Sequence, residues 1–408
     1  MNQTITTEKI NIIANGNIAA PKGFSAGGLH CGVRKKKLDL GWIYSEIPAK
    51  AAGVYTMNSF QAAPLLVTKE SIAEEQLLQT VVVNSGIANA CTGSQGLADA
   101  YEMRTLLAEK FNVEPNYAAV ASTGLIGELL PMDNIRAGIS AIDPEKQSSE
   151  QFETAILTTD TREKGVAVSI EINGKKVTIG GAAKGSGMIN PNMATMLGFI
   201  TTDANVDPSA LDQALKQLTD QSFNMITVDG DTSTNDMVLL LANGLAENEV
   251  LNPNHPEWDV FVEALGFVCQ TLAKEIARDG EGATKLIEVQ VKGADAKQAA
   301  QAISKAIISS NLVKTAIHGA DANWGRIITA IGYSGAKINP DHVSVALGPI
   351  SVVKNGVPVA FDEEEVKAYL TKDTVLIDVS IGNGMESAVG WGCDLSYEYV
   401  RINASYRT

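Results

Sequence analysis

The stretch 184-KGSGMINPNMATMLGFITTDA-204 lies near the middle of a 408-residue chain and decides how the rest is read. It starts with Lys184 and the glycines Gly185 and Gly187. It then passes Asn190-Pro191-Asn192 and reaches Ala194-Thr195 ahead of an apolar run. One reading is a glycine-rich turn entering a strand at Met196 to Ile200, which spacing alone favours. The other is chemical. A threonine hydroxyl is a weak nucleophile until a base takes its proton, and the threonine's own α-amine can be that base. A free α-amine titrates at about 7.7–8.0, close to neutrality. Thr195 would first have to become an N-terminus. Its hydroxyl would attack the Ala194 carbonyl, and water would release the resulting ester. Small Ala194 and the permissive residues upstream suit that step.

Composition narrows the alternatives. At ~150 residues per domain the length suggests two or three units, or one large sheet-based domain. The opening stretch is the best candidate boundary. With 45% apolar residues the chain can bury a core without a metal or disulfide staple. A net charge of −15 argues against nucleic acid or an anionic membrane as partner. The one basic run, Arg34 to Lys37, reads as a solvated turn. Cys31, Cys91, Cys269 and Cys393 fit no metal or redox spacing. Met1 to Pro21 resembles neither a signal nor a transit peptide, and no apolar run reaches ~18 residues. A cytoplasmic location is expected.

Strand-like and helix-like segments alternate along the chain. Thr80 to Val83 predicts a strand ending in a turn at Asn84-Ser85-Gly86. Met103, Leu106, Leu107 and Phe111 recur at helical spacing. Asp207-Pro208 is a helix start, with Leu211, Leu215 and Leu218 on one face. The stripe Phe261, Leu265, Val268, Leu272 and Ile276 predicts a helix from Pro256 to about Arg278. A further helix is expected around Ala299 to Ile307. Alternation at Ile287 to Val291, at Ile377 to Ile381 and at Leu395 to Tyr399 predicts half-buried strands. Such one-sidedness favours an α/β architecture containing antiparallel strands.

Motifs for bound phosphates or metals fail on inspection. The glycines around Lys184 are in the wrong order for a phosphate loop, and Gly382-Asn383-Gly384 is incomplete. Read as a calcium loop from Asp229, the run Asp229 to Asp236 has Thr234 and Leu240 where glycine and glutamate belong. A polar, self-bonded loop near a site is the better reading. His30, His255, His318 and His342 form no ligand pair. No metal and no cofactor is expected. Ala121-Ser122-Thr123-Gly124-Leu125-Ile126-Gly127 follows a strand-like run. It reads either as a strand-to-helix turn or as an oxyanion site with a glycine N–H and a threonine hydroxyl as donors.

Lys184 to Leu197 resembles the self-processing signature of the ornithine acetyltransferases, the glutamate N-acetyltransferases of the cyclic arginine pathway. The likeness continues in Ser122-Thr123-Gly124, Thr158-Thr159-Asp160-Thr161, Asp229 to Asp236 and Arg278 to Lys285. It runs on through Leu312 to Ala316, Asn323-Trp324-Gly325-Arg326 and Tyr406-Arg407-Thr408, and so covers essentially the whole chain. The resemblance implies sheets packed between helices in a self-cleaving, N-terminal-threonine nucleophile fold of the ornithine acetyltransferase/aminopeptidase type. It implies cleavage at Ala194–Thr195 into an α chain, 1–194, and a β chain, 195–408. The two would form one intertwined catalytic unit and an α2β2 heterotetramer. Thr195 would take the acetyl group from N-acetylornithine and pass it to glutamate. Thr123 and Gly124 match the oxyanion hole, and Thr158, Lys184, Thr195, Glu281, Asn403 and Thr408 match substrate contacts. Lys184 suits a carboxylate and Glu281 an ammonium. The rival is an amidase or aminopeptidase of the same fold with water as acceptor. Such relatives generally carry serine, so Thr195 speaks against it. Whether acetyl-CoA also serves as donor, and whether the pathway's products inhibit, is left open by the residues.

Overall fold

Period-two runs and helical stripes assemble into two mixed sheets with helices against their faces. The computed structural model describes residues 9–190 and 196–405. The first sheet contains Asn11–Ile12 (β1), Phe24–Leu29 (β2), Leu40–Tyr55 (β3), Leu77–Ile87 (β4), Ala118–Leu125 (β5), Lys164–Ile172 (β6), Lys175–Lys184 (β7) and Leu197–Thr202 (β8). Beyond a two-residue strand of the second sheet, Ile226–Thr227 (β9), it gains Met237–Ala242 (β10). Its order is β1-β6-β7-β8-β10-β3-β4-β5, with β2 also on β3. The second sheet adds Leu286–Ala294 (β11), Ser344–Leu347 (β12), Ile350–Lys354 (β13), Val357–Pro358 (β14), Thr374–Ser380 (β15) and Glu386–Cys393 (β16). Its order is β14-β13-β12-β15-β11-β16-β9.

The helices among the described residues are Ala63–Glu75 (α1), Gly93–Phe111 (α2), Met132–Ala141 (α3), Ser149–Ala155 (α4), Pro208–Thr219 (α5) and Trp258–Arg278 (α6). They continue with Lys297–Ser309 (α7), Asn311–His318 (α8), Trp324–Tyr333 (α9), Glu363–Leu370 (α10) and Tyr397–Ser405 (α11). Helix α5 starts as its sequence dictates. The Asp207 side chain caps Ala210 N and Pro208 occupies the first turn. The predicted stripe of α6 is buried at every position from Phe261 to Ile276 and joins a core with Val177 and Ile179 of β7. Helices α7 to α9 cover the second sheet around Ile287, Val289 and Val291. No helix among the described residues is long and apolar enough to cross a membrane.

Three sequence expectations need correction. Asn84-Ser85-Gly86 does not end a strand: β4 runs on to Ile87, paired in parallel with β5. Likewise Ser122-Thr123-Gly124 is no turn but the end of β5, and the next helix begins only at Met132. Leu395 to Tyr399 is not a strand. Tyr397 opens α11 and is 89% exposed, so its alternation never had a sheet face to fill. The segment between β7 and β8 joins antiparallel neighbours within one sheet, with Lys184 opposite Leu197.

One core position is under electrostatic tension. Glu153 of α4 is 8% exposed, and its Oε1 has no hydrogen-bond partner among the described residues. Burial, aided by Glu163 and Glu150, pushes its carboxyl up to about 7. Between its ordinary value of 4.5 and about 7 the folded chain holds a proton that the unfolded chain has lost, so stability falls as pH rises through that window. Glu153→Gln should therefore stabilise the protein at pH 8, by on the order of 2 kcal/mol, and hardly at all at pH 4. Urea unfolding at the two pH values measures the difference.

Candidate active site

Backbone spacing opens a cavity of about 170 Å³ where the ends of β4, β5 and β7 meet the start of β8. Thr123, Gly124, Thr158, Lys184, Glu281 and Asn403 all line it, although they are scattered over most of the chain. Met196 and Leu197, which follow Thr195, line it as well. Ala194, Thr195 and Thr408 lie outside the described residues. The loop Asp229 to Asp236 forms another wall, as its polar sequence suggested. No histidine is among the described lining residues.

Gly124 sits opposite Gly86 in the parallel β4–β5 ladder. Its φ is +131°, in the region that favours glycine. A Cβ there would come within 2.3 Å of the Gly86 carbonyl carbon. Two glycine backbones therefore meet at the cavity wall, beside the half-buried Thr123.

A buried ion network fixes the floor. Lys164 Nζ lies 2.9 Å from Asp160 Oδ1 and 2.6 Å from Asp279 Oδ2, all essentially without solvent contact. Asp160 accepts from Gly185 N at 2.6 Å and from Thr158 N at 3.0 Å. Asp279 accepts from the backbone N–H and the hydroxyl of Thr161. One ammonium thus clamps the 158–161 loop, the end of β7 and the end of α6, the segments that carry Thr158, Lys184 and Glu281. Burial alone would raise the Asp160 carboxyl, but Lys184 and Lys164 overcome this and hold it below the carboxylate range. Neither Lys164 nor Asp279 was singled out from the sequence. They lie 115 residues apart, and only the resemblance through Arg278-Asp279-Gly280 touched one of them.

Lys164→Met would leave both carboxylates buried without their shared cation, and should destabilise by about 3–5 kcal/mol, read from a chemical-denaturation midpoint. The pH sign follows from Asp160. Its folded value lies below the ordinary 3.8, so its contribution is complete above that value and is lost as pH falls through the depressed one. Acid unfolding of the wild-type protein should accordingly set in below about pH 4.

The cavity-lining side chains include groups of opposite charge. Lys184 Nζ donates to Thr158 Oγ1 at 2.9 Å and lies 3.7 Å from Asp160 Oδ2. This arrangement distinguishes Thr158 from Thr161, whose hydroxyl is committed to Asp279. Glu281 is 6% exposed, and its Oε2 accepts from Asn403 Nδ2 of α11 at 2.8 Å. Asp229 accepts from Met188 N at 2.7 Å and Ile189 N at 2.9 Å, tying its loop to the segment before β8. Burial raises the Asp229 carboxyl and, more strongly, that of Asp236. The cavity lining therefore combines the Lys184 ammonium with carboxyl groups and threonine hydroxyls. That set suits a zwitterionic amino acid carrying an acyl group.

Comparison with known proteins places the chain in a family. The ArgJ family pattern matches residues 25–408. The arginine biosynthesis bifunctional protein ArgJ of Oceanobacillus iheyensis is 61% identical over 406 residues, spanning 100% of both chains. That of Geobacillus kaustophilus is 59% identical over 410 residues, again with 100% of both covered. A crystal structure of the arginine biosynthesis bifunctional protein from Bacillus halodurans superposes with a TM-score of 0.51 at 58% identity. It covers 52% of this chain and 100% of that one. The chain belongs to the ArgJ family.

Proposed function

We propose that this acyltransferase of arginine biosynthesis moves the acetyl group of N-acetylornithine to glutamate through an ester on Thr195. The observation that carries the reading is the convergence of Thr123, Gly124, Thr158, Lys184, Glu281 and Asn403 on one cavity, at the segment that leads from Thr195 into β8. The chain first cuts itself between Ala194 and Thr195, by hydroxyl attack on the Ala194 carbonyl and hydrolysis of the ester so formed. The length of the Bacillus halodurans chain, matched in full by 52% of this one, fits a fragment such as 195–408 and supports that cut.

The freed α-amine then takes the hydroxyl proton as Thr195 Oγ attacks the acetyl carbonyl. Negative charge on the carbonyl oxygen is met by Gly124 N–H and the Thr123 hydroxyl, each donor being worth about 10²–10³ in rate. Lys184 pairs with the substrate α-carboxylate and Glu281 with the side-chain ammonium of ornithine. Collapse returns the proton to ornithine, which leaves. Glutamate takes its place, and its amine attacks the ester. Asn403 steers Glu281, and the chain end at Thr408 closes the site. The two fragments stay together and pair as α2β2.

A single assay tests the reading: N-acetylornithine supplied with and without glutamate. Ornithine release that depends on glutamate, with N-acetylglutamate formed in equal amount, is expected. Release at the same rate without glutamate would instead make the protein a hydrolase.

A further inference from the structure

The bond to be cut lies in residues 191–195, outside the described residues, but the chain is fixed firmly on either side of them. Downstream, Met196 O accepts from Met237 N at 3.0 Å, which sets the start of β8 against β10. Upstream, residues 188–190 are bonded one after another to the stretch 226–232. Asp229 accepts from Met188 N at 2.7 Å and Ile189 N at 2.9 Å. Ile189 O accepts from Val228 N at 2.7 Å and from Thr227 Oγ1 at 3.0 Å. Asn190 O accepts from Thr232 Oγ1 at 2.9 Å, and Asn190 Nδ2 donates to Gly230 O at 3.0 Å. Met188 is held at φ +56°, a left-handed conformation that a residue with a side chain disfavours.

One further contact comes from a distant element. Lys305 of α7 donates through Nζ to Asn190 Oδ1 at 3.1 Å and to Ile226 O at 2.8 Å. Both partners are neutral oxygens, and among the described residues no ion pair offsets the removal of the ammonium from water. The side chain is half-buried, and burial pushes its ammonium down to about 8. A cation so placed costs stability, which calls for a reason. Helix α7 packs on the second sheet through Ile303 and Ile307, whereas Asn190 follows β7 of the first. The Asn190 amide is thus where an element of the second sheet grips the segment ahead of the cut. Neither Asn190 nor Lys305 is among the described residues that line the cavity.

We propose that Lys305 is a positioning residue for self-cleavage: through Asn190 it holds the upstream anchor of the cut segment, so that cutting waits until α7 has docked. The inference rests on the self-cleaving reading above. Attack of a hydroxyl on the carbonyl before it is intramolecular, and its rate depends on how often the two are held in attacking geometry. Ala194 and Thr195 belong to the five residues, 191–195, between the two anchors. A short chain tied at both ends samples far fewer conformations than one tied at a single end. Lys305 adds no step to the reaction. The reacting atoms remain those of Ala194, Thr195 and water. Once the bond is broken the tether has no further part, so the grip matters for cutting and not for acetyl transfer.

The test follows the full-length chain from its synthesis, as wild type and as Lys305→Met, which keeps an unbranched stem and removes the charge. Conversion of the 43.1 kDa band into fragments is timed on a denaturing gel. Cutting slower by about 10–100-fold is expected, with kcat and KM of the cut fraction unchanged. Asn190→Ala should also slow cutting, and adding Lys305→Met to it should slow cutting no further, because both act through one contact. Cutting of Lys305→Met at the wild-type rate would overturn the proposal, as would additive losses in the double variant. A kcat of the cut fraction that falls in step with the cutting rate would overturn it too, because the lysine would then serve the transfer centre. So would a urea midpoint of uncut Lys305→Met well below that of uncut Thr195→Ala, which would make the lysine a support of the whole fold. A wild-type chain that never cuts would overturn the self-cleaving reading itself, and this proposal with it.

Discussion

Thr195→Ala should run on a denaturing gel as one chain of 43.1 kDa and transfer no acetyl group. The wild-type protein should give two fragments of similar size, the second beginning Thr-Met-Leu-Gly-Phe. Both losses come from one oxygen. Without it there is no attack on the Ala194 carbonyl, so no α-amine is released to act as base, and no atom remains to carry the acetyl group. Removing nucleophile and base together should cost on the order of 10⁴–10⁶ in kcat. Thr195→Ser separates the roles, since a serine keeps the hydroxyl and should still cut the chain. N-terminal sequencing and an ornithine-release assay read the two events independently. Activity surviving in the alanine variant would place the nucleophile elsewhere.

Gly124→Ala should be the next most damaging change, for a reason rooted in the backbone. The new Cβ would lie 2.3 Å from Gly86 C, 2.4 Å from Gly86 O and 2.7 Å from Ile87 N. All three are main-chain atoms of β4, so no side chain can swing aside. The ends of β4 and β5 would have to part, which turns the residue 124 N–H away from the acyl oxygen. A loss of about 10²–10³ in kcat is expected with little change in KM, because the donor is needed mostly in the transition state. Gly127→Ala is the control. It too has positive φ, +87°, but its Cβ would meet nothing within 4 Å. That variant should pay only about 1–2 kcal/mol of backbone strain and keep its rate. Equal kinetic losses in the two variants would mean that strain, and not the aim of one N–H, is what matters.

Legibility followed the range of the interactions. Helix α6 was readable because its stripe, Phe261 to Ile276, repeats a signal every turn and is buried along its length. Helix α5 was readable because Asp207 and Pro208 mark its start within two residues. Helix α11 was not. It buries no residue of its own, so its tyrosines carry no helical stripe and their alternation imitates a strand. The end of β4 was read as a turn, and that of β5 as a turn or an oxyanion site, because glycine usually marks a turn, whereas a Cβ at Gly124 would strike the Gly86 backbone and one at Gly86 would meet Arg34 and Val33. The same division holds at the cavity. Individual motifs were visible, and resemblance gathered them, but nothing local announces that Lys164 holds Asp160 and Asp279 together.

The order of the first sheet has a consequence for how two halves of this chain would behave. Strands β8 and β10 lie side by side in its interior, with β7 along one flank and β3 along the other. Six residue pairs join β8 to β7, and six join β10 to β3. A break between β7 and β8 would therefore free no edge and detach no lobe. The downstream piece would remain threaded between strands of the upstream piece, like a tenon in its mortise. Pieces so joined trade partners with other molecules only as fast as the whole sheet opens. A population cut to completion should keep its original pairings for as long as it stays folded.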